Sequence, residues 1–164
     1  MTTNEVAEHK WYSFNIWAVL AGAVTDVVSS NLTTGCYAVI ATVTAVKPLL
    51  DQGLSPQAAT TQLTSQLASS PIIFVLGFLC SVLGGYVSGR LARYHEVKHA
   101  LASYGVIFLF SLGLSLFIKG PQIDRAIWLQ VILFVLQLVS NILGGYLAQL
   151  QRELKQPKER TATT

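Results

Sequence analysis

The chain has 164 residues, of which 52% are hydrophobic and 12% charged, and its mean hydropathy is +0.51. Soluble domains carry about 25% charged residues, so this composition excludes an ordinary soluble domain, and the length leaves room for one domain. The net charge of +3 does not indicate a nucleic-acid binder, because the basic residues lie between apolar runs and in the C-terminal tail. Basic residues in those places are typical of the flanks of membrane helices.

Four apolar runs are long enough to cross a bilayer, which takes about 20 helical residues. We expect spans at about 13–46, 71–90, 100–118 and 127–148, within a single transmembrane domain covering 1–164. The first run would be roughly 50 Å long as one helix. It therefore tilts, projects beyond the bilayer, or breaks at the polar stretch 29–34. The predicted fold class is all-α, an integral membrane four-helix bundle.

The segment 47–70, between the first two spans, predicts a short amphipathic helix on the outer membrane surface. Ser55 is a suitable N-cap, and Pro56 occupies the first helical position, where no N–H partner is needed. Leu63 and Leu67 lie one turn apart among polar residues, as an interfacial helix requires. The charged tail 149–164 is expected to lie in the cytoplasm.

The second and fourth spans repeat one another at an offset of 60 residues. Leu83-Gly84-Gly85-Tyr86 recurs as Leu143-Gly144-Gly145-Tyr146. This duplication predicts two helical hairpins in parallel repeat, related by an axis along the membrane normal. Because apolar helices in lipid associate through close backbone approach, the small residues of these spans are predicted to form the helix contacts. The predicted packing residues are Gly77, Ser81, Gly84, Gly85, Gly89, Gly144 and Gly145.

Lysine and arginine are distributed unequally between the two sides that these spans define. With the N-terminus inside, eight lie on the inner side and three on the outer side. An excess of basic residues marks the cytoplasmic side, so we expect both termini in the cytoplasm. The inner-loop residues Arg90, Arg93 and Lys98 are candidates for binding anionic lipid.

Among the residues of the apolar runs, Asp26 has the highest free-energy cost of transfer into the bilayer. It lies roughly 20 Å along a helix that starts at Ser13, near the middle of the bilayer. A carboxyl group at that depth usually faces the bundle interior. Gln137 lies at a similar depth on the fourth span, and Asn141 lies one turn further along it. We predict a polar intramembrane site of Asp26, Gln137 and Asn141, which either binds a proton or cation or simply holds the helices together.

Residues 95–99 (H-E-V-K-H) match the zinc-peptidase pattern H-E-x-x-H, in which two histidines on one helix face bind zinc and the glutamate is the general base. The charge of Lys98 inside the motif and the lack of a recognisable third ligand weigh against zinc. We interpret the segment as a basic loop in which Arg90 and Arg93 pair with Glu96 or with lipid phosphates. The zinc ligands of the less favoured alternative would be His95 and His99.

The segment 83–93 (L-G-G-Y-V-S-G-R-L-A-R), followed by His99-Ala100-Leu101, resembles small four-span bacterial membrane proteins of uncharacterised families. Those proteins have an apolar helix ending in Gly-Gly-Tyr, an arginine-rich inner loop and a first helix with a mid-membrane aspartate. The resemblance covers most of the chain except 47–70. It implies a four-helix fold in the bacterial inner membrane, and it implies no reaction.

Three functional hypotheses follow. The first is a non-enzymatic accessory or structural component that binds an unknown membrane protein. The second is a small transporter or proton- or cation-conducting protein that uses Asp26 and works as a homo-oligomer, since one four-helix unit is small for a transport path. The third is the zinc peptidase. The sequence has no phosphate-binding loop, serine triad or cysteine cluster, so no cofactor is expected.

Overall fold

The computed structural model of the protein describes residues 14–68, 70–117 and 127–155, and every regular element among them is a helix. The predicted span ends Ser13 and Ile118 lie outside the described residues, as do the tail from residue 156 onward and the basic residues Lys10, Lys119, Arg125, Lys158 and Arg160. The helices are α1 (Ile16–Asp51), α2 (Pro56–Ala68), α3 (Pro71–Ala92), α4 (Glu96–Phe117) and α5 (Ile127–Lys155).

Four of these helices, α1, α3, α4 and α5, are long and apolar enough to cross a membrane. Large apolar side chains point away from the bundle, whereas its interior consists mainly of small and polar residues. This distribution suits a protein whose solvent is lipid, because lipid solvates apolar side chains and leaves close packing and hydrogen bonds to join the helices. The prediction of an all-α membrane bundle is confirmed. The buried polar and charged residues are Asp26, Ser81, Ser88, Glu96, His99, Ser103, Ser140 and Asn141.

α1 is continuous through the polar stretch 29–34, so the expected alternative of a break there does not occur. Ser29, Ser30 and Asn31 of this stretch bond to their own helix: the Asn31 side-chain amide, for example, donates to the Val27 carbonyl at 2.7 Å. The Tyr37 hydroxyl lies 3.3 Å from that of Ser70, the residue before α3, so Tyr37 is level with the start of α3. Residues 16–37 of α1 therefore match the length of α3, and residues 38–51 project roughly 20 Å further.

α2 packs against this projecting part of α1, with Ala59 and Leu63 buried. Ser55 caps α2 by accepting a hydrogen bond from the Ala58 amide, and Pro56 occupies its first position, as predicted. The apolar face of α2 thus contacts protein. Residues 38–51 of α1 and α2 lie outside the four-helix bundle, and for this reason we call them together the outer hairpin.

α3 and α5 cross at glycines. A Cβ atom on Gly85 would fall on the backbone of Asn141, and one on Gly144 would fall on the Val82 carbonyl, so larger residues would force the two helices apart. Gly84 faces α1 whereas its counterpart Gly144 faces α3, and Gly85 faces α5 whereas its counterpart Gly145 faces α4, so equivalent glycines of the two copies contact different helices. The parallel repeat stays a prediction from sequence. Gly77 is not a packing residue, because an added Cβ would meet nothing within 4 Å.

Candidate functional site

Asp26 lies at the centre of the bundle and is 2% exposed. Its position on α1 is close to the middle of the 16–37 segment, as the sequence count predicts. Two hydroxyl groups donate to its Oδ1 atom: Ser81 of α3 at 3.1 Å and Ser30, one turn further along α1, at 3.2 Å. The carboxyl group therefore connects α1 to α3 in the interior.

α5 reaches the same carboxyl group from the other side. The Asn141 amide nitrogen lies 3.5 Å from Oδ2 of Asp26 and also donates to the Gln137 carbonyl at 3.2 Å. The Gln137 side chain lies near Asp26. The structure thus brings the three residues of the predicted polar site together. The Asn141 Oδ1 atom is buried and has no partner in the part of the chain that the structure describes.

Close packing around Asp26 depends on Gly84 of α3. A Cβ atom at this position would lie 2.7 Å from the Asp26 Cβ and 3.0 Å from the Gly22 carbonyl oxygen. Real Cβ atoms do not approach other atoms so closely, so the glycine permits the distance between α1 and α3 at which Ser81 reaches the carboxyl group. The close packing predicted for Gly84 is therefore also what allows Ser81 to reach the Asp26 carboxyl group.

Asp26 and the side chains that contact it, Ser30, Ser81 and Asn141, are called the Asp26 cluster below. A groove of about 150 Å³ opens between α3 and α5 beside this cluster. Ser81 and Gln137 contribute polar atoms to its lining, and Gly77 leaves space in its wall. The other lining residues are apolar, and they lie nearer the end at which α3 begins. The groove thus approaches the carboxyl group from the half of the bundle in which α3 begins, where Ser81 separates it from Asp26. Its apolar lining consists of Phe74, Phe78, Leu133 and Leu136.

On the side of Asp26 away from the groove, polar side chains continue toward the start of α4. Ser88 of α3 and Ser103 of α4 are fully buried, and their hydroxyl groups have no hydrogen-bond partner among the described residues. Both pack around Gly22, one turn before Asp26 on α1. One turn before Ser103 lies His99, which is 2% exposed. Buried hydroxyl groups usually find a partner or a water molecule, so the Ser88 and Ser103 hydroxyl groups are free to form a further hydrogen bond.

The His99 imidazole is the last of these buried polar groups and lies in the first turn of α4. Its Nε2 atom accepts a 3.0 Å hydrogen bond from the Asn15 amide, so Nδ1 carries the proton and donates to the His95 carbonyl at 3.1 Å. Phe14 stacks on the ring with 5.0 Å between centroids. Asn15 also caps α1 through its side chain, so His99 joins the first turn of α4 to the start of α1.

These contacts do not favour the zinc interpretation of residues 95–99. α4 begins at Glu96, and His95 precedes it with φ 49°, so the two histidines do not share a helix face. Both ring nitrogens of His99 are engaged in hydrogen bonds. The expected pairing of Glu96 with Arg90 or Arg93 is also wrong, because Glu96 pairs with Arg152 of α5 at 2.7 Å.

A basic pocket of about 340 Å³ lies where α3 and α5 end. The predicted lipid-binding residues Arg90 and Arg93 line it, together with Arg152 and Lys155 of α5, which sequence reasoning missed. Lys98 is not among its lining residues. The Arg152 guanidinium also donates to the Arg93 carbonyl, which completes the turn between α3 and α4. In the sequence, the one indication that Arg152 belongs to this pocket is its position near the end of an apolar helix.

The chain matches no protein-family model, no curated protein and no solved structure. The contacts of Asp26 and its neighbours are therefore the basis on which a function can be argued.

Proposed function

We propose that the protein is a small integral membrane transporter or channel that moves protons through Asp26. The observation that carries this proposal is a carboxyl group buried at mid-depth and contacted by polar groups from α3 and α5. Ionisable residues at that depth are expensive and usually mark ion or proton pathways. A carboxyl group that gains and loses a proton there can pass charge between the two halves of the membrane.

Two half-routes meet at Asp26 and support the proposal. The groove beside Ser81 and Gln137 approaches it from the outer half. The unpartnered hydroxyl groups of Ser88 and Ser103 approach it from the inner half. Water in the groove and between the hydroxyl groups would give a proton hydrogen-bonded steps on both sides, while the tight contact at Gly84 prevents a continuous open pore.

Proton flux into liposomes tests the proposal. The purified chain is reconstituted with a pH-sensitive dye inside, and a potassium gradient with valinomycin drives the flux. We expect dye acidification with wild type and a loss of most of it with Asp26→Asn, which keeps the shape of the side chain but removes its titratable proton. Asp51→Asn is the matched control, because Asp51 is an exposed carboxylate at the C-terminal end of α1, far from the bundle interior. Equal flux in wild type and Asp26→Asn would contradict the proposal.

A non-enzymatic accessory role is the second candidate. Its support is the outer hairpin, which projects beyond the bundle with a row of exposed apolar side chains and has the form of a binding element. In this role the Asp26 cluster would serve only to hold α1, α3 and α5 together. Purification in mild detergent tests it: a stoichiometric membrane partner lost on deletion of residues 38–68 supports the role, and a chain that carries no partner contradicts it.

For the membrane and its lipids we propose a bacterial inner membrane with both termini in the cytoplasm. The basic pocket of Arg90, Arg93, Arg152 and Lys155 would then face the cytoplasmic leaflet, where basic pockets between helices bind anionic head groups. Native mass spectrometry of the purified chain tests this. Retained anionic lipid that is lost on Arg93→Gln with Lys155→Gln is the expected result, whereas equal retention places the lipid elsewhere.

A further inference from the structure

Among the described residues, the outer hairpin leaves one face of α1 without a neighbour. α2 covers the face that carries Ala38, Ala41 and Ala45, which are partly buried. On the opposite side, apolar side chains follow one another at intervals of four, three, four, three and four residues. We call this row the α1 seam, and it consists of Leu32, Cys36, Val39, Val43, Val46 and Leu50.

Most of the seam is open to the surroundings. Val39 and Val43 are 64% and 75% exposed, and Leu32 is 66% exposed. Tyr37 is level with the start of α3, so a bilayer as thick as α3 is long would end there. The part of the seam from Val39 onward would then lie beyond this bilayer, where lipid does not solvate it. Thr42 and Thr44, which flank Val43, are polar, whereas Ile40 beside the seam is apolar and 62% exposed, and Val46 within the seam is partly buried.

The spacing of the seam identifies its occupant. Apolar residues that alternate between three- and four-residue steps form the contact line of a left-handed coiled coil, in which each knob enters a hole on the facing helix. Copies of one chain insert in a membrane with the same orientation, so two seams meet in parallel about an axis along the membrane normal. A two-fold axis places each seam residue opposite its own counterpart, which makes the surface self-complementary.

We propose that the protein forms a parallel homodimer through the α1 seam. Cys36 lies within the seam and is exposed, so the dimer brings two native thiol groups together. The second cysteine, Cys80, is buried in the bundle beside Thr33, 3.7 Å from its hydroxyl oxygen, and serves as an internal control.

Disulfide cross-linking in liposomes tests the dimer. Oxidation with copper phenanthroline should give a covalent dimer on non-reducing gels for wild type and for Cys80→Ser, and none for Cys36→Ser. A wild-type chain whose Cys36 reacts with a soluble maleimide but forms no covalent dimer would overturn the proposal.

Single cysteines placed along α1 distinguish a specific contact through the seam from random collisions between chains. In a chain lacking both native cysteines, Val39→Cys and Val43→Cys should cross-link rapidly, whereas Thr42→Cys and Thr44→Cys should cross-link at least several-fold more slowly. These four positions are all exposed, so their reaction with a maleimide corrects for accessibility. Equal cross-linking rates at the four positions would also overturn the proposal. The result is independent of proton flux, which is measured on the Asp26 variants.

Discussion

Ser81 of α3 and Asp26 of α1 are 55 residues apart and joined by a 3.1 Å hydrogen bond in the bundle interior. We expect Ser81→Ala to lower the free energy of unfolding in detergent by about 1 kcal/mol, because it removes an interhelical bond to a buried carboxyl group. Ser140→Ala is the matched control. Ser140 is equally buried, but its hydroxyl donates to the Gln137 carbonyl of its own helix, so its loss should cost less. Equal losses in the two variants would show that the bond to Asp26 adds nothing beyond a local one.

Two glycines of α3 should respond oppositely to the same substitution. Gly84→Ala inserts a methyl group 2.7 Å from the Asp26 Cβ, and we expect about 2 kcal/mol of destabilisation from overpacking between α1 and α3. Gly77→Ala adds a methyl group in open space, so better helix propensity should leave stability unchanged or raise it by up to about 1 kcal/mol. Thermal unfolding in one detergent measures both variants. Equal losses would mean that the contact at Gly84 is not tight.

Gly77 also reports whether water enters the groove between α3 and α5. In a chain lacking native cysteines, we expect Gly77→Cys to react with a charged, membrane-impermeant thiol reagent applied from the side of the membrane at which α3 begins, because only a thiol in contact with water ionises readily. Gly113→Cys on α4 is the control, since it lies about as far from the end of α4 as Gly77 lies from the start of α3 and also has room for a side chain. A Gly77→Cys chain that stays unmodified would indicate a groove filled by lipid.

The ion pair of Glu96 and Arg152 should contribute strongly to stability. Glu96 has a side chain only 4% exposed, so Arg152→Ala leaves a buried carboxylate without its partner. We expect a loss of about 2 kcal/mol, below the usual cost for buried pairs because the Arg152 side chain is 38% exposed.

The double variant Arg152→Ala with Glu96→Gln should recover part of this loss, since no buried charge remains. Unfolding of the two single variants and the double variant gives the coupling free energy. Additive losses would indicate that the two side chains do not interact.

The fold class and the main polar residues could be predicted from the sequence because membrane physics restricts both. Only apolar helices of about 20 residues satisfy their backbone in lipid, so four long runs predict four spans. A carboxyl group at mid-depth must point inward, and Gln137, which the count along the chain places at a similar depth on the fourth span, is then a natural neighbour of Asp26. Asn141, one turn further along the same span and 115 positions from Asp26 in the chain, contacts the carboxyl group as well.

Helix rotation and side-chain reach could not be predicted in the same way. Gly77 and Ser81 share a row of small residues, yet only Ser81 bonds to Asp26. Gly77 lies one turn further from Asp26, where the groove between α3 and α5 leaves it open space. Arg152 competes with Arg90 and Arg93 for Glu96, and the composition of the chain does not indicate which side chain reaches it. The spacing of His95 and His99 suggested a shared helix face, but α4 begins one residue too late for that.

The contact of Arg152 with the turn between α3 and α4 has a consequence for biosynthesis. Arg152 follows Arg93 by 59 residues, so the turn is released from the ribosome long before the side chain that completes it. Until α5 is inserted, the Glu96 carboxylate lacks its counter-ion and must stay hydrated. The last helix to be translated therefore secures an earlier loop, and a nascent chain truncated before residue 152 would be a natural substrate for membrane quality-control proteases.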